Sequence, residues 1–472
     1  MKTSIISLVI AGIATLACAG DTNGWKQRTV YQLLTDRFAR SNGDTSGCDL
    51  HNYCGGDYYG IVQHLDYIKD LGFDAIWISP VVDNLDGGYH GYWARNWEQL
   101  NQHFGDEQAL KNLVSECHKR DIWVMVDVVA NHVAPVGNDF GQIYPLNRPE
   151  HYHQNCDIND WNNQWQVENC RLAGLPDLDQ GNSYVRQYLK DWIKNLVQKY
   201  NFDGIRIDTI PEVPKDFWSE YGQAAGVFQM GENFNGNPAY VGDYQNHVTG
   251  LFNYPMYYSI KDAFMYGKSM RGISDRWNEE AQHFKDIDAL GIFVDNHDNA
   301  RFLNGRNDQR LFKGALAFAL TARGIPFFYY GSEQGYGGGN DPYNREVLWN
   351  NFNPNHDIYK FVKTINQARQ AQKVSTSQFQ EKWADDQFYA FTRDQFFVAL
   401  TNQANGDVQR SVPNTGFSNG QTLCNIFNQG DCITANNGNL DIHLSNAETK
   451  IYIPKTSSFF TAAAEEVVFL QE

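Results

Sequence analysis

The run IWVMVDVVANH, residues 122–132, decides the fold. It is a β-branched, apolar stretch of strand length that stops at Asn131-His132, so it reads as a buried strand with polar groups at its carboxyl end. The same design returns in FDGIRIDT (202–209), VFQMGENF (227–234) and GIFVDNHD (291–298), each placing an acid or histidine where the apolar run ends. Barrel enzymes keep their reacting groups there.

Working outward, similar runs occur in TVYQLL near Val30, FDAIWIS near Ile76 and IPFFYY near Phe328, with GLFNYP near Phe252 as one more candidate. Helical segments separate them, which implies a parallel sheet, and about eight such units imply a closed (β/α)8 TIM barrel. A doubly wound sheet would want a glycine-rich phosphate turn after the first strand, and none is present. Between His132 and Gly181 the pattern gives way to an Asn-, Gln- and Trp-rich stretch too long for an ordinary loop. A small inserted domain, 132–181, is expected there. After Lys382 short alternating segments such as QFYAFTR, FFVALTN and TKIYIP predict a C-terminal antiparallel β-sandwich over 383–472. The barrel then comprises 20–131 and 182–382.

The chain has 472 residues, 42% hydrophobic and 14% aromatic, enough for a barrel-sized core. Acids outnumber bases 55 to 38, a net charge of -17, which argues against nucleic acid, whose binding draws on Lys and Arg. Neutral, hydroxyl-rich partners fit better. Lys2, the apolar stretch Ile5 to Leu16 and the Ala17-Cys18-Ala19 site read as a secretory signal over 1–19, cleaved after Ala19. A lipid anchor on Cys18 is the rival, disfavoured by Thr15. No further stretch is long enough for a membrane helix, so a soluble protein outside the cell is expected, with no membrane partner.

Of eight cysteines, Cys18 leaves with the leader, and six of the remaining seven fall in close pairs: Cys48 with Cys54, Cys156 with Cys170, and Cys424 with Cys432. In an exported chain without C-x2-C spacing these point to disulfides rather than metal thiolates. Cys117 lies in the helical pattern LKNLVSECHKR and reads as a buried free thiol.

Together these segments nominate three carboxylates for one site: Asp208, Glu232 and Asp298. Cleaving a glycosidic bond with retention needs one carboxylate to attack the anomeric carbon and another to protonate the leaving oxygen, about 5 to 5.5 Å away. Asp208 suits the nucleophile, because Arg206 points to the same side of its strand. Glu232, ending an apolar run, suits the acid, and Asp298 the stabiliser of the transition state. Singly, each acid is more simply a turn residue or helix cap. Together, with His90, His132 and His297 beside them, they make that bland reading hard to sustain.

Over about Trp25 to Leu440 the chain resembles secreted α-amylases of the fungal type, in the glycoside hydrolase family built on this barrel. The likeness rests on YQLLTDRFAR, YHGYW, DVVANH, LPDLD, GIRIDT, FVDNHDNARF and GGNDPYNRE. It implies Asp208 as nucleophile, Glu232 as general acid/base and Asp298 as transition-state stabiliser. It implies that His132, Arg206 and His297 bind hydroxyls and orient the acids, that Tyr92 stacks on the sugar next to the scissile bond, and that His90 and Trp93 contact it. Asp341 and Arg345 would close the glycone end. The resemblance also implies Ca2+, held by Asn131, Glu168, Asp177 and the Glu212 carbonyl, clamping the inserted domain to the barrel.

Three departures stand out. Pro211-Glu212 replaces Lys-His after the nucleophile strand, Gly242 replaces a cysteine, and Asn235 replaces an Asp near the acid. The C-terminal cysteine pair sits at unfamiliar positions. The reading is therefore a secreted, monomeric, calcium-containing, retaining endo-hydrolase of α-1,4-glucans such as starch or glycogen. A transglycosylating or maltooligosaccharide-specific relative is the alternative, and a non-catalytic sugar-binding protein a remote one.

Overall fold

A computed structural model describes residues 20–461. The signal expected over 1–19 lies outside the described residues. Eight parallel strands close a barrel: β1 Val30–Gln32, β2 Ala75–Ile78, β3 Trp123–Val128, β4 Gly204–Ile207, β5 Phe228–Gly231, β6 Gly250–Phe252, β7 Leu290–Ile292 and β8 Ile325–Tyr329. β1 pairs with both neighbours at closure, Val30 lying opposite Ala75 of β2 and Phe327 of β8. Side chains alternate in and out of such strands, so the barrel interior fills with Val30, Ala75, Trp77, Met125, Phe252 and Phe327. Trp77 stacks on Phe252 at 5.2 Å between centroids, and Phe252 meets Phe327 edge-on at 4.8 Å.

The outward side chains pack under amphipathic helices. Glu107–Lys119 is started by Asp106, whose carboxylate accepts the Ala109 N–H, and buries Leu110, Leu113, Val114 and Cys117 along one stripe. Cys117 is a free buried thiol, as its helical pattern suggested. Ser183–Tyr200 starts at Asn182 and stops at Asn201, which is left-handed at φ 57°. The amino-terminal segment seals the barrel base. The Trp25 indole donates to the Asp203 carbonyl at 3.0 Å, and the Phe228 N–H donates to the Gly20 carbonyl at 2.9 Å. Any side chain at Gly20, φ +77°, would lie 1.8 Å from the Asp203 carbonyl oxygen.

Between β3 and the Ser183–Tyr200 helix the chain leaves the barrel, with short helical turns and isolated bridges such as His132 to Asp177. Disulfides join Cys48 to Cys54, Cys156 to Cys170, and Cys424 to Cys432. After the Asp357–Ala371 helix comes a six-stranded antiparallel sheet, faced by the pair Asp407–Val412 and Leu440–Ser445. Phe388, Phe397, Val408, Leu423, Ile442 and Tyr452 fill the space between. Its first strand is Phe379–Ala384, so the 382/383 boundary read from composition cuts through a strand. The alternating pattern is legible only once aromatic residues begin to recur at Phe388.

Candidate active site

The carboxyl ends of β3, β4 and β5 converge on one guanidinium. Arg206, fully buried on β4, places Nη1 at 2.7 Å from Asp208 Oδ1 and 3.0 Å from Asp127 Oδ1, and Nη2 at 2.7 Å from Glu232 Oε2. Its charge lies over the Trp77 ring, 5.1 Å from the centroid. One rigid fork thus holds three carboxylates, a geometry that an ammonium could not reproduce.

Asp208 and Glu232 differ in their surroundings. Burial, with the fields of Asp208 and Asp298, raises the Glu232 carboxyl well above the usual range, against the opposing pull of Arg206. Tyr254 sits at 3.4 Å from Glu232 Oε1, and its hydroxyl in turn accepts from Asn296 Nδ2 at 2.9 Å. The Thr209 hydroxyl donates to Asp208 Oδ2 at 3.2 Å, and the Thr209 N–H donates to Glu232 Oε2 at the same distance.

Asp298 does not stand at a strand end. β7 stops at Ile292, and FVDNHD continues as a loop whose Phe293 enters the barrel interior. The loop is pinned by Asn296, whose Oδ1 accepts the Asp298 N–H at 3.2 Å, and by Asn344 Nδ2 and Arg345 Nε, which donate to the His297 carbonyl at 2.9 and 3.0 Å. Arg345 also pairs with Asp341 at 2.9 Å and lies 3.7 Å from Asp298.

The remaining sugar-binding candidates form a connected wall. Gly91, φ +91°, lets YHGYW turn where a Cβ would lie 2.7 Å from Pro80. Tyr92 then donates to Asp127 Oδ2 at 2.7 Å and meets His297 Nε2 at 2.7 Å, while Gln32 Nε2 lies 2.7 Å from His297 Nδ1. With Gln32 donating, Nδ1 is the acceptor and Nε2 carries the proton, so the chain runs Gln32 to His297 to Tyr92 to Asp127. Burial, Arg206 and Arg345 hold His297 neutral by lowering its pKa well below the ordinary value. Burial and Arg345 do the same for His90, whose ring parallels Tyr92 at 5.7 Å and meets Trp93 edge-on at 4.8 Å. His132 is buried with Nε2 unpartnered, and burial lowers its pKa as well.

Of the calcium candidates, the structure brings three together and holds the fourth separately. The outward amide atom of Asn131 lies 2.9 Å from Asp177 Oδ1 and 3.1 Å from the Glu212 carbonyl. With oxygen there, three acceptors face one another, as hard-cation ligands do; with nitrogen there, two hydrogen bonds close the gap. Asp177 is also bound by His153 Nδ1 at 2.7 Å. Glu168 is held instead by Gln164 Nε2 at 2.8 Å, which also reaches the Pro211 carbonyl at 3.0 Å. Among the described residues no group of three or more His, Cys, Asp and Glu side chains stands at metal-binding spacing. Beside this trio a cavity of roughly 350 Å³ opens next to Glu232, lined by Trp161, Glu212, Asn233, Phe234 and Tyr240.

The sequence reading passed over Asp127, Gln32, Tyr254 and Thr209. Asp127 carried a signal, an acid inside an otherwise apolar strand. The others did not, because their partners are distant in sequence or their role lies in the backbone.

A barrel whose strand ends present a guanidinium-bridged pair of carboxyl groups, one of them with its pKa raised by burial, fits the two-carboxyl chemistry of a glycoside hydrolase. The family model "Alpha amylase, catalytic domain" matches residues 32–410, and the chain belongs to the alpha-amylase family. It is 37% identical to the alpha-amylase of Saccharomycopsis fibuligera, over 96% of this chain and 97% of that one. It is 41% identical to the beta/alpha-amylase of Paenibacillus polymyxa over 91% of its own length, but spans only 38% of that longer protein. The solved structure of an alpha-amylase from Malbranchea cinnamomea is similar, with TM-score 0.88 and 37% identity over 92% of this chain and 97% of that one.

Proposed function

We propose that the protein is a retaining endo-hydrolase of α-1,4-glucans such as starch and glycogen. The observation that carries this reading is the Arg206 fork, which ties Asp208 and Glu232 to one cation while burial raises the pKa of Glu232. Asp208 attacks the anomeric carbon as Glu232 gives its proton to the departing glycosidic oxygen. The bond to that oxygen breaks, and a glycosyl ester on Asp208 forms. Glu232, now a carboxylate, takes a proton from water, the water oxygen attacks the same carbon, and Asp208 is released. Asp298, neutral His297 and Arg345 bind ring hydroxyls and favour the cationic transition state, and Tyr92, His90, Trp93 and His132 shape the sugar pocket. Asp341 and Arg345 close its glycone end.

Asn131, Asp177 and the Glu212 carbonyl would hold Ca2+, with Glu168 joining after release from Gln164. The ion would fix the 132–181 insertion against the barrel, 20–131 and 182 onward, ahead of the C-terminal sandwich that begins with Phe379–Ala384. The three disulfides support an exported, extracellular protein. The cavity lined by Glu212, where relatives of the fungal type carry an imidazole, favours a second reading, a transglycosylating or short-chain-specific enzyme.

Product sizes released from soluble starch over time, for wild type and Asp208→Asn, test the proposal. Rapid loss of long chains in the wild type, abolished in the variant, is expected. Lengthened products would favour transglycosylation, and inactivity of the wild type with calcium present would favour a non-catalytic sugar-binding protein.

A further inference from the structure

Thr209, directly after β4, is a β-branched residue in the left-handed region, at φ 47° and ψ 55°. Side chains branched at Cβ avoid that region, and a strained residue of this kind persists only where its surroundings over-determine it. What the conformation achieves is visible in its bonds. In an extended chain successive N–H groups point to opposite sides, but a left-handed residue turns two of them the same way. Here the N–H groups of Thr209 and Ile210 both point at Glu232: the first reaches Oε2 at 3.2 Å and the second the backbone carbonyl at 3.0 Å. The Thr209 hydroxyl meanwhile donates to Asp208 Oδ2 at 3.2 Å, on the oxygen that Arg206 leaves free.

We propose that Thr209 is a positioning residue whose strained backbone and hydroxyl together fix the separation and facing of the two reacting carboxylates. Asp208 is bonded at both oxygens, Oδ1 by Arg206 and Oδ2 by Thr209, so its plane cannot rotate freely. Glu232 is bonded at Oε2 by Arg206 and by the Thr209 N–H. Arg206 supplies charge to both carboxylates, and Thr209 adds a second bond to each, at the other oxygen of Asp208 and at the same oxygen of Glu232. The role rests on Asp208 and Glu232 being the reacting pair.

The test is kcat and KM on a soluble maltooligosaccharide for Thr209→Ser, Thr209→Gly and Thr209→Val, with Asp208→Asn and Glu232→Gln beside them. Ser keeps the hydroxyl, Gly keeps the left-handed backbone without it, and Val keeps neither comfortably. The expected order is Ser near wild type, Gly lower in kcat by about tenfold, and Val by about a hundredfold, with KM within about twofold throughout. Val that stays within about threefold of wild type, or KM rising in step with the loss in kcat, overturns the proposal. Where Val does not fold, the Gly and Ser pair decides: equal kcat for the two overturns it. If Asp208→Asn and Glu232→Gln retain turnover, the reacting pair itself is misassigned. If they are dead while the Thr209 variants match wild type, only the positioning role fails.

Discussion

Replacing Arg206 by Met removes the one cation among three buried carboxylates and keeps most of the side-chain volume. The side chains of Asp127, Asp208 and Glu232 are 1%, 10% and 8% exposed, and the guanidinium is 1% exposed, so water cannot take over the lost charge. Removing one member of a buried ion pair costs about 3–5 kcal/mol, because the remaining charge stays desolvated. Against a total stability of about 5–15 kcal/mol that is a large fraction. A denaturant titration should therefore show the midpoint falling with an unchanged slope. Adding Asp127→Asn to Arg206→Met should recover part of the loss, since one uncompensated acid is gone. Arg206→Lys should be intermediate, because an ammonium is a point charge that cannot span the fork. Stability of Arg206→Met within about 1 kcal/mol of wild type, or no recovery in the double variant, would refute the view that this cation holds the acids together.

Two further outcomes follow from the site. Glu232 is raised by burial, so activity should decline on the alkaline side through that raised value, above the range of a free glutamate at about 4.3. An acid whose pKa is raised on folding costs stability as pH climbs from its unfolded to its folded value. Glu232→Gln should therefore lose turnover by about two to four orders of magnitude yet become more stable relative to wild type over that window; a difference independent of pH in thermal melts would contradict it. Chelation should lower the melting temperature and loosen the segment around Cys156 to limited proteolysis, with calcium restoring both. Asn131→Ala should behave as the chelated protein does, and an unaltered melt on chelation would remove calcium from the proposal.

The period-two pattern of the strands was enough to place Arg206 and Asp208 on one face, because side chains two apart in a strand share a side. The barrel was legible because each short run is apolar on both faces, as in a parallel sheet covered by helices, and about eight such runs recur without a glycine-rich phosphate turn after the first. The pattern could not show that His297 is held by Gln32, 265 positions away, because that contact exists only after closure. The FVDNHD segment misled in a specific way. Its apolar start resembles strand, but Asn296 and Asp295 bind backbone and side chains of the loop, and such local bonds end a ladder. The Gln164 amide that engages Glu168 was not legible in the motif either, because the motif names ligands and not their neighbours. Thr209 was invisible because a left-handed threonine runs against every local preference.

The seal at the barrel base sets an order of events during synthesis. Trp25 finds its acceptor on Asp203, 178 positions downstream, and β1 gains its second neighbour only when β8 exists. At translation rates of about 5–20 residues per second, the indole stays without its native partner for roughly 10–35 s after it is made. Trp25 therefore waits for its acceptor until Asp203 has been made, and β1, a few residues further on, waits longer still for β8 to close the barrel.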